Sequence, residues 1–465
     1  MNELLFIYKR TLTLLLFLSL LSASCRKLIS IPPNPPSQIP QTQVFADSAD
    51  IQAAVAGIYA NFKTSGASAS WVNGAITISG GLSADEIRGT SSYDLVAPQF
   101  YKDAVLIDNS TVAAMWKQAY LDLYQMNVCL DGIAGTTAIS DSLKRILTGQ
   151  IKVIRALYYF NMVNLWGGVP VVTNSDYAAN ANLPRATTDS VYSRIKADLT
   201  DATTLLPAQY LSAGRSRPNL YTAEALLAKV NLYRQDWDNA AIMAGNVINS
   251  GVYGLETNPN NVFLHGSKEA IWQLPAKGQS YQTVEGYSFN LAFTSLPPYV
   301  MTDALLNAFE TGDLRKTAWV GSSVNLGTTY YYPHKYKNRA ATATPLEDYM
   351  VLRLGELYLI LAEALAHKNQ LNDAVTSLNT VRSRAGLSGS TAATQTDVLN
   401  AILHERQTEL FCEWGNRWYD LKRTGYADSV LNAEKPGIWQ PYAQLYPIPK
   451  AEILTNSFLI QNTGY

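Results

Sequence analysis

Apolar side chains recur every three to four residues over several long stretches of the chain, which is the period of an amphipathic helix. In the first stretch the apolar positions Ile51, Val55 and Ile58 follow this period, and Asp47 stands where an N-cap is expected. Further stretches with the same pattern are 111–133, 142–165 and 189–205. The pattern therefore predicts that the chain opens as a helical assembly.

Two later segments repeat one arrangement of small residues at spacings of 12, 4 and 3. The first copy is Ala228, Ala240, Ala244 and Val247, and the second is Ala362, Ala374, Leu378 and Val381. Small side chains recur in this way in tetratricopeptide-like hairpins, where they let two antiparallel helices approach closely. The copies start 134 residues apart rather than about 34, so we expect a large insertion between them.

The insertion, roughly 250–345, is rich in Gly, Pro, Asn, Thr and aromatic residues, and its only clear helical period is at 301–309. A second irregular stretch, 65–110, also carries aromatic residues. Long loops within a compact domain are usually functional. Sugar rings have apolar faces and polar edges, which suit aromatic platforms flanked by polar groups.

The sequence thus favours recognition of a polar, ring-shaped ligand by these two stretches. Candidate ligand-binding residues are Trp71, Asn73, Asp85, Arg88, Tyr93, Tyr281, Tyr287 and Trp319. Two alternatives stay open for the aromatic members. They pack the loops onto the scaffold, or they line a surface that faces a protein partner, because interfaces are also enriched in Tyr, Trp and Arg.

The N-terminus has the features of a secretory signal that ends at a cysteine. Lys9 and Arg10 precede an apolar run too short to span a membrane, and small residues lead to Cys25. This arrangement predicts a lipoprotein whose acylated Cys25 anchors it to a membrane surface, and simple secretion is the alternative. The following segment, to residue 43, has five prolines and predicts a stiff tether.

Composition narrows the function classes. The 465 residues include 36 Lys and Arg against 37 Asp and Glu, a net charge of −1, which argues against nucleic-acid binding. The chain has no HExxH, no paired CxxC, no P-loop and no GxGxxG motif. We therefore assign no catalytic residue, no metal ligand and no cofactor. Beyond Cys25, the apolar surroundings of Cys129 and Cys412 predict buried free thiols.

Three carboxylates, Glu405, Glu409 and Glu413, follow one another at helical spacing. Arginines available as partners nearby are Arg406, Arg417 and Arg423. Paired carboxylates can serve acid–base chemistry, but a spacing of four makes helix neighbours whatever the function. We therefore interpret this block as a structural charge network.

Several blocks of the chain resemble one known family. They are VFADSADIQAAVAGIYANF (44–62), RALYYFNMVNLWGGVPVV (155–172), the stretch from YTAEALLAKVNLYRQDW (221–237) to NVINSGVYGL (246–255), YMVLRLGELYLILAEALA (349–366), LNTVRSRAGL (378–387), ERQTELFCEWGNRWYDLKRTG (405–425) and YPIPKAEILTNSFLIQNTGY (446–465). Together they resemble the SusD/RagB family, surface lipoproteins that work beside TonB-dependent transporters in the outer membrane of gram-negative bacteria. The resemblance covers nearly the whole mature chain.

The resemblance implies a mainly α fold in which tetratricopeptide-like helical hairpins form a scaffold that carries long irregular and short-strand loop insertions. We expect a signal peptide at 1–24 and a lipidated, Pro-rich tether at 25–43. The rest, 44–465, is expected to be a single SusD-like domain. Its N-terminal helical part runs to about residue 345, and its C-terminal helical part covers about 346–465.

The resemblance also implies a function. The expected protein is a non-enzymatic, surface-exposed outer-membrane lipoprotein that captures an oligosaccharide and delivers it to a SusC-like TonB-dependent transporter. Two alternatives remain: the same lid role with a peptide as cargo, and a tetratricopeptide-like scaffold that binds another protein. Because the loops vary widely within the family, the resemblance assigns no ligand-binding residue.

Overall fold

The computed structural model describes residues 41–62, 70–275, 281–292 and 294–465. The predicted signal peptide, the lipidated Cys25 and most of the predicted tether lie outside the described residues. None of the helices in these ranges combines the length and apolar character that a bilayer crossing requires.

Helices dominate the described part of the chain. In chain order they are α1 (Gln41–Val44), α2 (Ser48–Ala60), α3 (Ala75–Ser83), α4 (Ala97–Tyr101), α5 (Ser110–Gly135), α6 (Asp141–Trp166), α7 (Tyr177–Asn180), α8 (Thr188–Leu205), α9 (Leu220–Tyr233), α10 (Trp237–Asn249), α11 (Val284–Phe289), α12 (Asp303–Ala308), α13 (Leu314–Trp319), α14 (Leu354–His367), α15 (Leu371–Arg384), α16 (Gln395–Leu410), α17 (Asn416–Arg423), α18 (Ala427–Glu434) and α19 (Lys450–Thr455). The mainly α fold is confirmed.

Six short strands form three antiparallel pairs. The strands are β1 (Ile87–Gly89), β2 (Ala270–Leu274), β3 (Tyr299–Met301), β4 (Val320–Asn325), β5 (Thr328–Pro333) and β6 (Tyr349–Arg353). β1 pairs with β3, β2 with β6, and β4 with β5 as a hairpin. All but β1 and β6 lie within the predicted insertion, so the expectation of short strands there is confirmed.

The predicted helix boundaries hold because local signals set them. The carboxylate of Asp47 accepts a hydrogen bond from the backbone N–H of Ala49 at 2.7 Å and caps α2. The side chain of Ser140 caps α6 in the same way, and that helix ends at Gly167, whose φ of 73° suits glycine. The stretches predicted at 111–133, 142–165 and 189–205 correspond to α5, α6 and α8.

The two tetratricopeptide-like hairpins are α9–α10 and α14–α15, each closed by a three-residue connection. All the small residues of the repeated pattern are fully buried: Ala228, Ala240, Ala244, Val247, Ala362, Ala374, Leu378 and Val381. In addition, α10 packs against α14. The hairpins are therefore neighbours in space, although the insertion separates them in sequence.

Aromatic side chains fill the core beneath the N-terminal helices. The ring of Trp71 stacks on that of Trp166, with centroids 5.5 Å apart, and Trp116 meets Trp166 edge to face at 5.2 Å. Such pairs stabilise the fold beyond the area that they bury. Cys129 and Cys412 are buried free thiols, as predicted.

A buried charge network surrounds the C-terminal half of α16. Glu409 accepts hydrogen bonds from the guanidinium groups of Arg315, Arg353 and Arg384. Burial raises the pKa of Glu409, but the three guanidinium groups outweigh it and hold that pKa well below the ordinary value. Glu409 therefore stays ionised in the interior.

The neighbouring carboxylates extend the network. Glu405 binds Arg315 at 2.6 Å, and Glu413 binds both Arg353 at 2.8 Å and Lys335 at 2.5 Å. The carboxylate of each is at least nine-tenths buried. The interpretation of this block as a structural charge network is confirmed, since cations surround the carboxylates on the inside of the scaffold.

The partners expected for this block were wrong. The three neighbouring arginines bind other carboxylates: Arg406 binds Asp420, Arg417 binds Asp85 and Arg423 binds Glu363. The reason is the orientation of α16 in the fold. The acidic face of α16 points toward the insertion, β6 and α15, which supply Arg315, Arg353 and Arg384 respectively.

Candidate functional site

The two irregular stretches of the sequence meet in one place. β1, from the first stretch, pairs with β3, from the second, so that Gly89 lies opposite Tyr299. Thr90 extends this junction, because its hydroxyl donates to the carbonyl of Pro297 at 2.6 Å and its N–H donates to Pro298 at 3.0 Å. The residues of the two stretches therefore build one surface.

Next to this junction is a cleft of about 270 Å³, which we call the loop cleft. It is lined by α3, by the segment around Asp94 and α4, by Ser288 and by Tyr299. The carboxylate of Asp94 accepts from the backbone N–H groups of Val96 and Ala97 at 2.8 and 3.0 Å, which fixes its orientation at the start of α4. Burial, followed by the charge of Asp94, raises the pKa of Tyr299 to about 12, so its hydroxyl stays protonated and can donate.

A second aromatic residue, Tyr287, directly precedes Ser288 of the loop cleft. The half-buried ring of Tyr287 lies under the guanidinium of Arg339, whose central carbon is 3.9 Å from the ring centroid. The same guanidinium donates to the backbone carbonyls of Tyr287 and Asn290. Arg339 thereby holds the ring of Tyr287 in one position, which lowers the entropy that ligand stacking would cost.

Three of the predicted ligand-binding residues are accessible in this region. Tyr93 is 93% exposed and directly precedes Asp94 of the loop cleft. Arg88 is exposed on β1, and Tyr287 is half-buried beside the cleft. Tyr281 is 2% exposed and lies behind Tyr287, with the two ring centroids 5.4 Å apart.

The structure corrects the assignment of the other four. Trp71 and Trp319 have no exposed surface: Trp71 belongs to the aromatic core, and the indole N–H of Trp319 donates to the carbonyl of Pro259 at 2.9 Å. Asp85 is 1% exposed and binds the guanidinium of Arg417 through both oxygens, each at 2.7 Å. Asn73 is 5% exposed and lies in a tight turn. These side chains form the support of the loops and not their accessible surface.

The sequence interpretation also missed Asp94, Ser288 and Tyr299, which line the loop cleft, and Arg339, which covers the ring of Tyr287. Tyr299 stands in the aromatic-rich insertion, so the density that selected Tyr287 could also have selected it. Asp94 follows Tyr93 directly. Nothing in the local sequence around Arg339 indicates that it would cover an aromatic ring 52 residues away.

The loop cleft offers oriented hydroxyl, carboxylate and aromatic groups. Tyr rings provide flat apolar area, while Asp94 and Ser288 provide an acceptor and a hydroxyl. In the described ranges, no group of three or more His, Cys, Asp or Glu side chains is arranged to hold a metal ion. This arrangement suits reversible binding of a polar ligand with apolar faces.

Two family models match the chain. The one described as SusD family matches residues 307–465, and the one described as starch-binding associating with outer membrane matches residues 34–232. A curated relative, SusD-like protein P25 of Formosa agariphila, is 25% identical, over 95% of this chain and 97% of its own length. The chain belongs to the SusD/RagB family.

Solved structures agree with this membership at the level of the fold. A SusD superfamily protein of Bacteroides vulgatus superposes with a TM-score of 0.80 at 20% identity, over 90% of this chain and 99% of the other. A laminarin-binding SusD-like protein superposes with a TM-score of 0.74 at 24% identity, over 90% of this chain and its entire length. At these identities the superpositions establish the fold alone.

Proposed function

We propose that this protein captures a neutral oligosaccharide in the loop cleft and hands it to a TonB-dependent outer-membrane transporter without breaking a bond in it. The observation that carries the proposal is the junction of β1 and β3 beside a cleft lined by Asp94, Ser288 and Tyr299. The exposed Tyr93 directly precedes Asp94, and the half-buried Tyr287 directly precedes Ser288. Membership of the SusD/RagB family and the laminarin-binding structural neighbour support a glycan as the ligand class.

The proposal includes how the protein is held at the membrane. Acylation of Cys25 would anchor the mature chain, and the prolines that follow would hold the folded body away from the lipid surface. One of the matching family models is described as associating with the outer membrane, which supports this location.

Binding is tested by calorimetric titration of the mature chain, from residue 26, with laminarihexaose, maltohexaose and a set of short peptides. We expect saturable binding of a hexasaccharide and unchanged oligosaccharide lengths after long incubation. Replacement of Tyr287 by Ala should weaken binding by about 1 to 3 kcal/mol, the usual range for a stacking anchor. Tyr177→Ala is the matched control, because that tyrosine is 78% exposed on α7, outside both loop stretches.

Three results would count against the proposal: binding of peptides but not of glycans, equal affinity of the Tyr287→Ala variant and the wild-type chain, or the appearance of shortened oligosaccharides. The first result would mean that the cargo is a peptide, and the second that the binding site lies away from the loop cleft. The third would mean that the protein is an enzyme.

Anchoring and delivery are tested in the native cell. Cys25→Ser should move the protein from the outer-membrane fraction to a soluble fraction and abolish uptake of fluorescently labelled glycan. Affinity purification of the tagged wild-type protein from solubilised membranes should recover a TonB-dependent transporter, identified by mass spectrometry. Uptake that is unchanged in the Cys25→Ser strain would contradict the delivery role.

A further inference from the structure

A second cleft lies on the helical scaffold, away from the loops. It has a volume of about 370 Å³ and is lined by residues from α9, α10, α14, α16 and α17 and from the connections that follow α9 and α17. We call it the scaffold cleft. It lies where the two tetratricopeptide-like hairpins meet α16 and α17, and none of the ligand-binding residues predicted from the sequence lines it.

The scaffold cleft is separate from the loop cleft. Gly415, the N-cap of α17, is so close to Gly80 of α3 that a Cβ on Gly80 would lie 2.8 Å from the Cα of Gly415. α3 lines the loop cleft, whereas Arg423, at the other end of α17, lines the scaffold cleft. The eight residues of α17 span about 12 Å, so one end of this helix packs against α3 and the other end lines the scaffold cleft.

Aromatic groups line the scaffold cleft. Trp237 is half-buried and stacks flat on the imidazole of His367, with centroids 3.8 Å apart and planes 10° apart. Tyr426 is 41% exposed, and its hydroxyl donates to the amide oxygen of Asn400 at 3.3 Å. These contacts fix the orientation of both rings while leaving part of each accessible, which is the form of an aromatic platform.

The charged groups of the scaffold cleft are already paired with one another. All three nitrogens of the Arg423 guanidinium are engaged, two by Glu363 and one by Asp420 at 2.8 Å. At the edge, Lys368 binds Asp238 at 2.6 Å. An anionic ligand, such as the carboxylate of an acidic peptide, would have to displace these partners, so the cleft favours a neutral ligand.

Uncharged polar groups are left to recognise such a ligand. Among the described residues, no partner hydrogen bonds to the indole N–H of Trp237, to the amide nitrogen of Asn400 or to the side-chain amide of Gln235. The hydroxyl of Tyr233, which also lines the cleft, is buried and likewise has no partner in the described part of the chain. Gln235 and Asn400 are exposed, so their amides are open to a ligand. The Tyr233 hydroxyl is buried, and a buried polar group without a partner is costly, so a ligand hydroxyl that reached it would be favourable.

We infer that the scaffold cleft is a second binding site for a neutral sugar unit, in which the ring lies against Tyr426 and Trp237 and its hydroxyls bind Asn400 and Gln235. The inference rests on the proposed function, because it takes the ligand class from it. The volume of the scaffold cleft is at the small end of the range for ligand pockets, which suits one or two sugar rings. A polysaccharide held at two clefts would bind more tightly than a short oligosaccharide held at one.

The test is titration of the mature chain with laminarihexaose and maltohexaose, with stoichiometry as the main readout. The wild-type chain should bind two hexasaccharides. Tyr426→Ala and Asn400→Ala should each remove one site or weaken it at least about fivefold, while the site that is sensitive to Tyr287→Ala remains. Tyr177→Ala, which removes an exposed tyrosine outside both clefts, should bind like the wild type. Because Tyr426 and Asn400 are exposed, these substitutions should leave the folded state intact, which thermal unfolding checks.

The outcomes separate the two proposals. A single site that is lost in Tyr287→Ala and unchanged in Tyr426→Ala and Asn400→Ala would overturn the scaffold site alone and leave the loop cleft as the glycan site. Two sites, of which only one responds to Tyr426→Ala, would support it. No binding of either hexasaccharide by the wild-type chain would overturn both the inference and the proposed function on which it rests.

Discussion

The network around α16 and the loop cleft are built from similar side chains, aromatic rings and charged groups, but they use them in opposite ways. Around Glu409 each carboxylate is bound by guanidinium groups, and nothing is left for an external ligand. Beside the loop cleft, the guanidinium of Arg339 covers one ring, while Tyr93 stands 93% exposed. The first arrangement holds the scaffold together, and the second leaves aromatic side chains accessible to the solvent.

Burial, rather than residue type or position in a loop, separates the two roles. Trp319 belongs to the aromatic-rich insertion and yet lies fully inside, within 5.7 Å of Phe263 between ring centroids. Tyr287 comes from the same insertion and is only half-buried. Experiments that compare buried and accessible members of one residue type therefore test the division directly.

The largest effect is expected where a cation of the network is removed. Arg353 binds Glu409 and Glu413, so Arg353→Ala leaves two buried carboxylates short of a partner. We expect the free energy of unfolding to fall by about 5 kcal/mol, the upper end for breaking a buried pair. Urea denaturation measures it.

The control for this experiment is an exposed pair. Lys152 binds Asp201 at 2.5 Å, and the Asp201 side chain is 53% exposed. Lys152→Ala should cost less than about 1 kcal/mol. Equal losses for the two variants would show that burial does not set the strength of these pairs.

Removal of a core aromatic residue should cause the next largest loss of unfolding free energy. Trp71→Ala deletes a fully buried ring that stacks on Trp166, and we expect a loss of about 3 to 5 kcal/mol in unfolding free energy. Tyr93→Ala, at 93% exposure, should change it by less than about 0.5 kcal/mol. If instead Trp71→Ala unfolded at the wild-type urea concentration, the assignment of this residue to the core would be wrong.

The pH dependence should show a third contrast. Burial, then the charge of Asp85, raises the pKa of Glu86 to about 8. Between its unfolded pKa of about 4.5 and this value, the folded chain keeps a proton that the unfolded chain has released, so stability falls as pH rises. The glutamine of Glu86→Gln cannot ionise. From pH 5 to pH 7.5 the unfolding free energy of this variant should therefore fall less steeply than that of the wild-type chain, and the two slopes should differ by about 1.4 kcal/mol per pH unit.

This experiment needs urea denaturation of both proteins at several pH values. The carboxylate of Glu86 accepts from the N–H of Cys412 at 3.1 Å, and glutamine can retain that bond. Parallel pH profiles for the two proteins would mean that Glu86 is ionised in the folded state throughout.

The smallest effect is expected for the contact between the half-buried Tyr287 and Arg339. A double-mutant cycle of Tyr287→Ala and Arg339→Ala, measured by glycan affinity, should give a coupling energy of about 0.5 to 1 kcal/mol, because the guanidinium lies over the ring. Additive losses would mean that Arg339 does not orient Tyr287 for binding.

Local features of the sequence predicted the helices and the hairpins, because caps and small-residue spacing act over a few residues. The pattern that begins at Ala228 and recurs at Ala362 can be recognised from the helical period alone. By contrast, the stacking of Trp71 on Trp166 joins residues 95 positions apart. No local pattern indicates which loop tryptophan will find such a partner, so the core and surface aromatics could not be separated from the sequence.

The same limit applies to the charge network and to the candidate site. Helical spacing correctly placed Glu405 and Glu409 side by side, but it says nothing about which segment will pack against that face. Tyr299 joins the loop cleft only because β3 pairs with β1, more than 200 residues earlier in the chain. The sequence could thus predict which segments carry the site, while tertiary pairing selects the residues.

The buried network has a consequence for how the chain assembles. The guanidinium of Arg384 binds both Glu269, 115 residues earlier, and Glu409, 25 residues later. While the polypeptide emerges N-terminus first, Glu269 must therefore remain without this partner until α15 has left the ribosome or the export channel. A nascent chain that stops before α16 would lack Glu409, which Arg315, Arg353 and Arg384 all bind, so the network should close in one late, concerted step rather than helix by helix.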